Sequence, residues 1–184
     1  MNNLVPFKEH EKTDHLEEDV FYPDHPPRTE SPTFLETKRI GHKKGMLCAI
    51  SGHSEKTEYH HFFIEWAFAP AVDWETVKGV ALGEITELPV LDEHTDLPTN
   101  KTFPAEQSLL WIICKLAELR GFNWKEFDPS KPDQFVDSMA NMLVIRDKFH
   151  RLKSHAIHGM TFPEWIFQAW PRIPGFVFTK DEEN

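Results

Sequence analysis

Helical periodicity is clearest from Leu109 onward, where apolar residues recur at i, i+3, i+4 and i+7 (Leu109, Ile112, Ile113, Leu116). Pro104 suits a first helical turn and Gly121 a C-terminal stop, so the pattern predicts a helix over 104–121 that serves as the main pillar of the core. Asp73 is placed to cap a short helix through Lys78, and Ser130-Lys-Pro-Asp133 to open another through Met139. Thr161-Phe-Pro-Glu164 predicts a helix carrying Trp165, Ile166 and Trp170 that ends before Pro171.

Strand-like content falls at Phe34 to Ile40 and Met46 to Ile50, with turns at Gly41 and Gly45, then at Tyr59 to Ile64, Leu143-Val144-Ile145 and Phe176-Val-Phe178. Residues 82–104 read as an acidic, proline-punctuated excursion with a strand at Ile85 to Val90. Trp66, Phe68 and Trp74 are expected in the core, because aromatic side chains bury large areas. These elements predict an α+β fold in one domain over 34–179. It is preceded by a flexible acidic, proline-bearing arm (1–33), whose His10, His15 and His25 are expected to be solvated, and followed by a polar tail (180–184).

Composition fits one domain with a real core: 184 residues, 40% hydrophobic. No apolar run approaches the ~18 residues of a membrane span, and the N-terminus lacks a signal pattern, which excludes a membrane protein of the helical type. Cys48 and Cys114 stand far apart in different predicted elements and are expected as reduced thiols of a cytoplasmic protein.

A net charge of −10 opposes nucleic-acid binding until its distribution is considered. Residues 36–61 hold five Lys and Arg against three acids, a balance of +2; residues 141–175 hold five against two, a balance of +3. The stretch between them stands at −8.

The two basic stretches also carry the candidate chemistry. Glu58-Tyr-His60-His61 ends an apolar strand, and neighbouring side chains of a strand point to opposite faces unless it bends or stops. One imidazole can then face a metal and the other a substrate. Asn141, placed before a short β-prone run, suits a hydrogen bond to a backbone carbonyl or a nearby imidazole. Asp147-Lys148 then opens a helix that carries His150. Hydrolysis of a phosphodiester at neutral pH needs a base for the attacking water and a cation for the charge on the phosphate; a neutral imidazole suits either the role of base or that of metal ligand.

The two segments, Glu58 to Glu65 and Asn141 to about Gly159, resemble the HNH endonuclease family, and the nine-residue step from Asn141 to His150 is similar to that of its colicin-type nucleases. The resemblance implies a ββα-metal finger embedded in the domain, with an insertion of largely helical sequence over about 71–140. It implies His61 as general base, Asn141 as the orienting residue, and His60 and His150 as metal ligands. Ser154 occupies the position one turn after His150, where colicin-type members carry a second His; His155, about 140° round a regular helix from His150, is a further ligand on this reading where the helix ends or unwinds. The family's paired CxxC zinc knuckles are not matched, since Ser51 stands where a second Cys would follow Cys48.

The implied activity is metal-dependent hydrolysis of phosphodiester bonds in nucleic acid, with DNA as the expected substrate. An imidazole-rich site favours Zn²⁺, Ni²⁺, Co²⁺ or Mn²⁺ for binding, with Mg²⁺ an alternative for catalysis. Lys43, Lys44, Lys56, Arg146, Lys148, Arg151 and Lys153 are the expected phosphate contacts. The alternative is a catalytically inert module of the same ancestry that meets a basic protein partner through its acidic surface.

Overall fold

The computed structural model describes residues 22–25, 29–95 and 97–151, together with Ile157, Trp170, Pro171 and Ile173. The fold is α+β, with two small antiparallel sheets among helices. No helix among the described residues is long and apolar enough to cross a membrane.

The chain enters through α1 (Pro32–Lys43), where strand-like content was expected at Phe34 to Ile40. Ser31 decides the outcome: its Oγ accepts the Phe34 N–H at 3.0 Å, and Pro32 sits in the first turn, where its missing N–H costs nothing. Phe34, Thr37 and Gly41 then form one buried face at helical spacing, while Leu35 points outward. Gly41 is therefore a packing residue, since a methyl group there would overlap the Tyr59 hydroxyl. Because α1 begins at Pro32, the boundary of the arm at residue 33 falls inside a helix. Tyr22 and His25, within the stretch read as arm, lie against Phe68 and Trp66 at centroid distances of 4.8 and 4.7 Å.

Met46 to Ile50 is a turn-rich loop rather than a strand; it docks through Cys48 N to His53 O and Ala49 N to Val144 O, both 2.8 Å. β1 (Thr57–His61) follows, and then a 3₁₀ segment at Trp66–Ala71. α2 (Trp74–Leu82) starts on Asp73, which accepts the Thr76 N–H at 3.1 Å as its spacing predicts. The acidic excursion folds into a hairpin of β2 (Glu87–Leu91) and β3 (Pro98–Pro104), so the insertion is not purely helical.

α3 (Leu109–Leu119) starts later than Pro104, which ends β3. Ser108 caps the helix by accepting the Trp111 N–H at 3.1 Å, and Gly121 follows its end with φ +89°. α4 (Asp133–Val136) is shorter than the helix expected through Met139: the Ser138 hydroxyl bonds back to Phe135 O, and Asn141 N to Ser138 O closes a turn. β4 (Met142–Arg146) then runs directly into α5 (Asp147–Arg151). The expected helix before Pro171, the strand at 176–178 and the tail lie outside the described residues, apart from Trp170 itself.

The core gathers Phe68, Trp74, Val77, Ile113, Trp124, Phe135 and Trp170 between α2, α3 and the segment leading to β4. Its three buried indoles each donate to a backbone carbonyl: Trp74 to Ala69, Trp124 to Cys114 and Trp170 to Phe63. Trp66, expected with them, is only half-buried at the edge. Arg120, just past α3, donates to the carbonyls of Met139 and Met142 and so ties this core to the head of β4.

Candidate functional site

β1 and β4 pair antiparallel, with Glu58 opposite Ile145, His60 opposite Leu143 and His61 opposite Met142. The insertion thus leaves and returns at one end of a two-stranded ladder, and α5 packs against both strands. His60 and His61, the last residues of β1, are both buried, at 2% and 4% exposure.

Strand alternation sends the two imidazoles to opposite faces. His60 turns toward α5, where the His150 ring lies edge to face at 5.2 Å. Glu58 shares the His60 face, and its Oε2 accepts both His150 Nδ1 and Arg151 Nε, the latter at 2.9 Å. A carboxylate only accepts, so His150 donates its Nδ1–H to Glu58. Burial raises the Glu58 carboxyl, but the bonds from His150 and Arg151 outweigh it and hold the group below its ordinary value.

His61 turns to the other face. Its Nε2 meets Asp137 Oδ1 at 2.9 Å, its Nδ1 lies 3.4 Å from Glu65, and Phe34 of α1 stacks on the ring at 5.8 Å with 18° between planes. Burial disfavours the charged imidazole, yet Asp137 and Glu65 prevail and raise its pKa above the usual value. Glu65 reaches both histidines, 4.0 Å from His60 Nε2, because the strand stops at His61 and the chain turns back beneath it.

Asn141 is wholly buried and fully used. Its Oδ1 accepts the amides of Phe63 (2.8 Å) and Ile64 (3.2 Å), and its Nδ2 donates to Ile64 O (2.9 Å) and Val136 O (2.7 Å). Of the two expected partners it takes backbone carbonyls, so it orients the chain around the histidines and none of these four bonds goes to an imidazole. The group that bonds the His61 ring is Asp137.

The structure thus brings His60, His61, Asn141 and His150 to one end of the β1–β4 ladder. His155 and Lys153 lie outside the described residues, as does the Lys148 side chain. Arg146 and Lys56 sit together at the opposite end of the ladder, Arg146 facing Thr57 and Lys56 O accepting Asp147 N at 3.0 Å. Arg151 is exposed but shares Glu58 with His150. Lys43 and Lys44 end α1 in solvent. No family model, curated protein or solved structure matches this chain.

Among the described residues no group of three or more His, Cys, Asp and Glu side chains is arranged as a metal cage. Of the described imidazoles, His60 and His150 are both buried and lie edge to face, and His150 has its Nδ1 held by the Glu58 carboxylate. Glu58, Glu65 and Asp137 were given no role from sequence. Glu58 lies two residues before His60, and period-two alternation places it on the same strand face; Asp137 carries no comparable local signal.

Proposed function

We propose that the protein is a metal-dependent endonuclease of the HNH type, hydrolysing phosphodiester bonds in nucleic acid, with DNA as substrate. The observation that supports this reading is the pairing of β1 with β4, with α5 packed on both strands, which brings His150 against His60, the neighbour of His61, despite the long insertion. On this reading His60 and His150 would hold the ion, His155 would be the third ligand, and Glu58 would fix the His150 ring. The bound ion, of the zinc, nickel, cobalt or manganese type, with magnesium an alternative in catalysis, supplies positive charge for the phosphate and the leaving oxygen.

His61 takes a proton from the attacking water as the new phosphorus–oxygen bond forms, and the departing oxygen is protonated from solvent. Asn141 keeps the turn after β1 in place, so that the two histidines keep their separate faces. Lys43, Lys44, Lys56, Arg146, Lys148, Arg151 and Lys153 contact phosphates. The unbridged thiols Cys48 and Cys114 support a cytoplasmic setting. Nicking of supercoiled plasmid by the full chain with each added divalent ion tests the reading, and no cleavage with any ion would defeat it.

One observation favours a second reading. His61 is only 4% exposed and faced by carboxylates on two sides, as suits an inert module that binds a basic protein partner through its acidic surface. Plasmid binding without cleavage, or neither, together with capture of a basic polypeptide, would select it.

A further inference from the structure

We infer that Asp137 is a positioning residue of the hydrolytic centre: by accepting the Nε2 proton of His61 it fixes the tautomer in which Nδ1 carries the lone pair, and so makes Nδ1 the nitrogen that receives the proton of the attacking water. This rests on the nuclease reading and adds which nitrogen works and what sets it.

The carboxylate is itself held. Asp137 Oδ2 accepts the Ser31 hydroxyl at 2.6 Å, Asp137 O accepts the Thr37 hydroxyl at 2.7 Å, and Asp137 N donates to Asp133 O at 3.1 Å. A second link, Thr33 to Asp133 at 2.9 Å, fastens the same helix face to α4. Asn141, through Val136 O, locks the segment from its other side. Both carboxylate oxygens thus have a donor, and Oδ1 has one geometry to offer His61. The stacked Phe34 ring keeps the imidazole in its plane.

The two sides of the His61 ring are unequal. Nε2 meets an anchored carboxylate at 2.9 Å, whereas Nδ1 faces Glu65 at 3.4 Å, and Glu65 also lies 4.0 Å from His60. The Nδ1 contact is the longer of the two, so in the neutral ring the proton stays on Nε2 against Asp137, and Nδ1 is the side that water takes over. In the step itself the water O–H bond breaks as its oxygen bonds phosphorus, the proton goes to Nδ1, and the phosphorus–oxygen bond to the leaving group breaks with its electron pair. The Nε2 proton stays on the His61 ring throughout, donated to Asp137 Oδ1, and the carboxylate stabilises the cationic ring. The Asn expected to orient the base therefore acts one step further out, on the segment that carries Asp137.

The test uses the full chain with Mn²⁺ and supercoiled plasmid. Asp137→Asn places an amide opposite Nε2, which favours the wrong tautomer, and kcat is expected to fall by roughly 10²–10⁴-fold with KM within about twofold. Asp137→Glu, which keeps the acceptor, should recover part of the loss, and adding Asp137→Asn to His61→Ala should lower the rate no further. Nitrogen NMR of the ring-labelled wild type, at a pH where the ring is neutral, should show the proton on Nε2; this needs no variant to fold. A wild type that cuts while Asp137→Asn matches its kcat, or a proton found on Nδ1, overturns the positioning role alone. A wild type that never cuts overturns the nuclease reading and this inference with it.

Discussion

Asn141 bridges the chain leaving β1 and the chain entering β4, with all four of its side-chain bonds made to backbone groups of Phe63, Ile64 and Val136. Two strands separated by the whole insertion are thereby fixed at the end that carries His60 and His61.

Replacing Asn141 with Ala leaves two buried amides and two buried carbonyls without their partner. Each unsatisfied buried group costs about 1–3 kcal/mol, and partial relaxation limits the sum, so a loss of roughly 3–5 kcal/mol is expected. Urea unfolding of Asn141→Ala against wild type measures it. A change below about 1 kcal/mol would mean that the bridge contributes little.

The metal prediction follows from His150 being held by Glu58 and facing His60. His60→Ala and His150→Ala should each abolish measurable Zn²⁺ binding in calorimetry. Glu58→Gln should weaken it by about 10–100-fold, the usual effect of removing the group that orients a ligand histidine. His61→Ala should leave binding nearly unchanged while activity falls by roughly 10²–10⁴-fold. Equal affinity in all four variants would show that the paired imidazoles are not the metal site.

The same residues show what was legible in sequence. α2, the core of α3, β4 and α5 announce themselves through caps, apolar period and β-branched runs, all of which act within a few residues, whereas the strand expected at Tyr59 to Ile64 lies earlier, at Thr57–His61. α1 was misread because Leu35 and Ile40 were counted toward a strand, although Ser31-Pro32 and the spacing of Phe34, Thr37 and Gly41 carry a helical signal. The histidines and Asn141 stand in recognisable order, and their gathering needed only that β1 pair with β4. Asp137 is beyond reach of local signals: its partner lies 76 residues away, and its carboxylate is held by the hydroxyl of Ser31, the cap of a helix whose sequence reads as a strand. Glu65 was hidden for another reason, since its reach to both histidines depends on where the strand stops.

Stability should depend on pH through His61 with a definite sign. Its folded-state pKa is raised, so the ring binds its proton more tightly in the folded chain. The resulting stabilisation is fully present below about pH 6.5 and is lost as pH rises through the folded value. Cys48 acts oppositely. Burial alone would raise its thiol, but hydrogen bonds from Ser51, Ile50 and Arg146 lower it to about 7, so its contribution grows as pH rises from there toward the unfolded thiol value. The His61 term is therefore read as a difference between wild type and His61→Gln, unfolded in urea with chelator present. That difference should shrink on going from acid to alkaline pH; a constant difference would mean that the charge on His61 contributes nothing.

Whether a chain of charge −10 can hold nucleic acid turns on the local basic groups. Lys56 and Arg146 lie together at one end of the β1–β4 ladder, while Arg151 is drawn to Glu58 and so has less freedom to meet a phosphate. Each phosphate neutralised adds about −0.9 to the slope of log affinity against log salt on duplex DNA, so a small footprint predicts a shallow slope. In a non-cleaving His61→Ala background, Lys56→Glu should weaken binding alike on all sequences and reduce the slope by about one contact. Glu58→Gln should act in the other direction on binding, because it frees the Arg151 guanidinium even as it loosens His150. Truncation before Ser31 removes acidic residues and should strengthen binding further at low salt, where repulsion is least screened. If affinity at low salt is undetectable in all of these proteins, the basic groups are a solvated surface and the acidic insertion becomes the face to test against a basic protein partner.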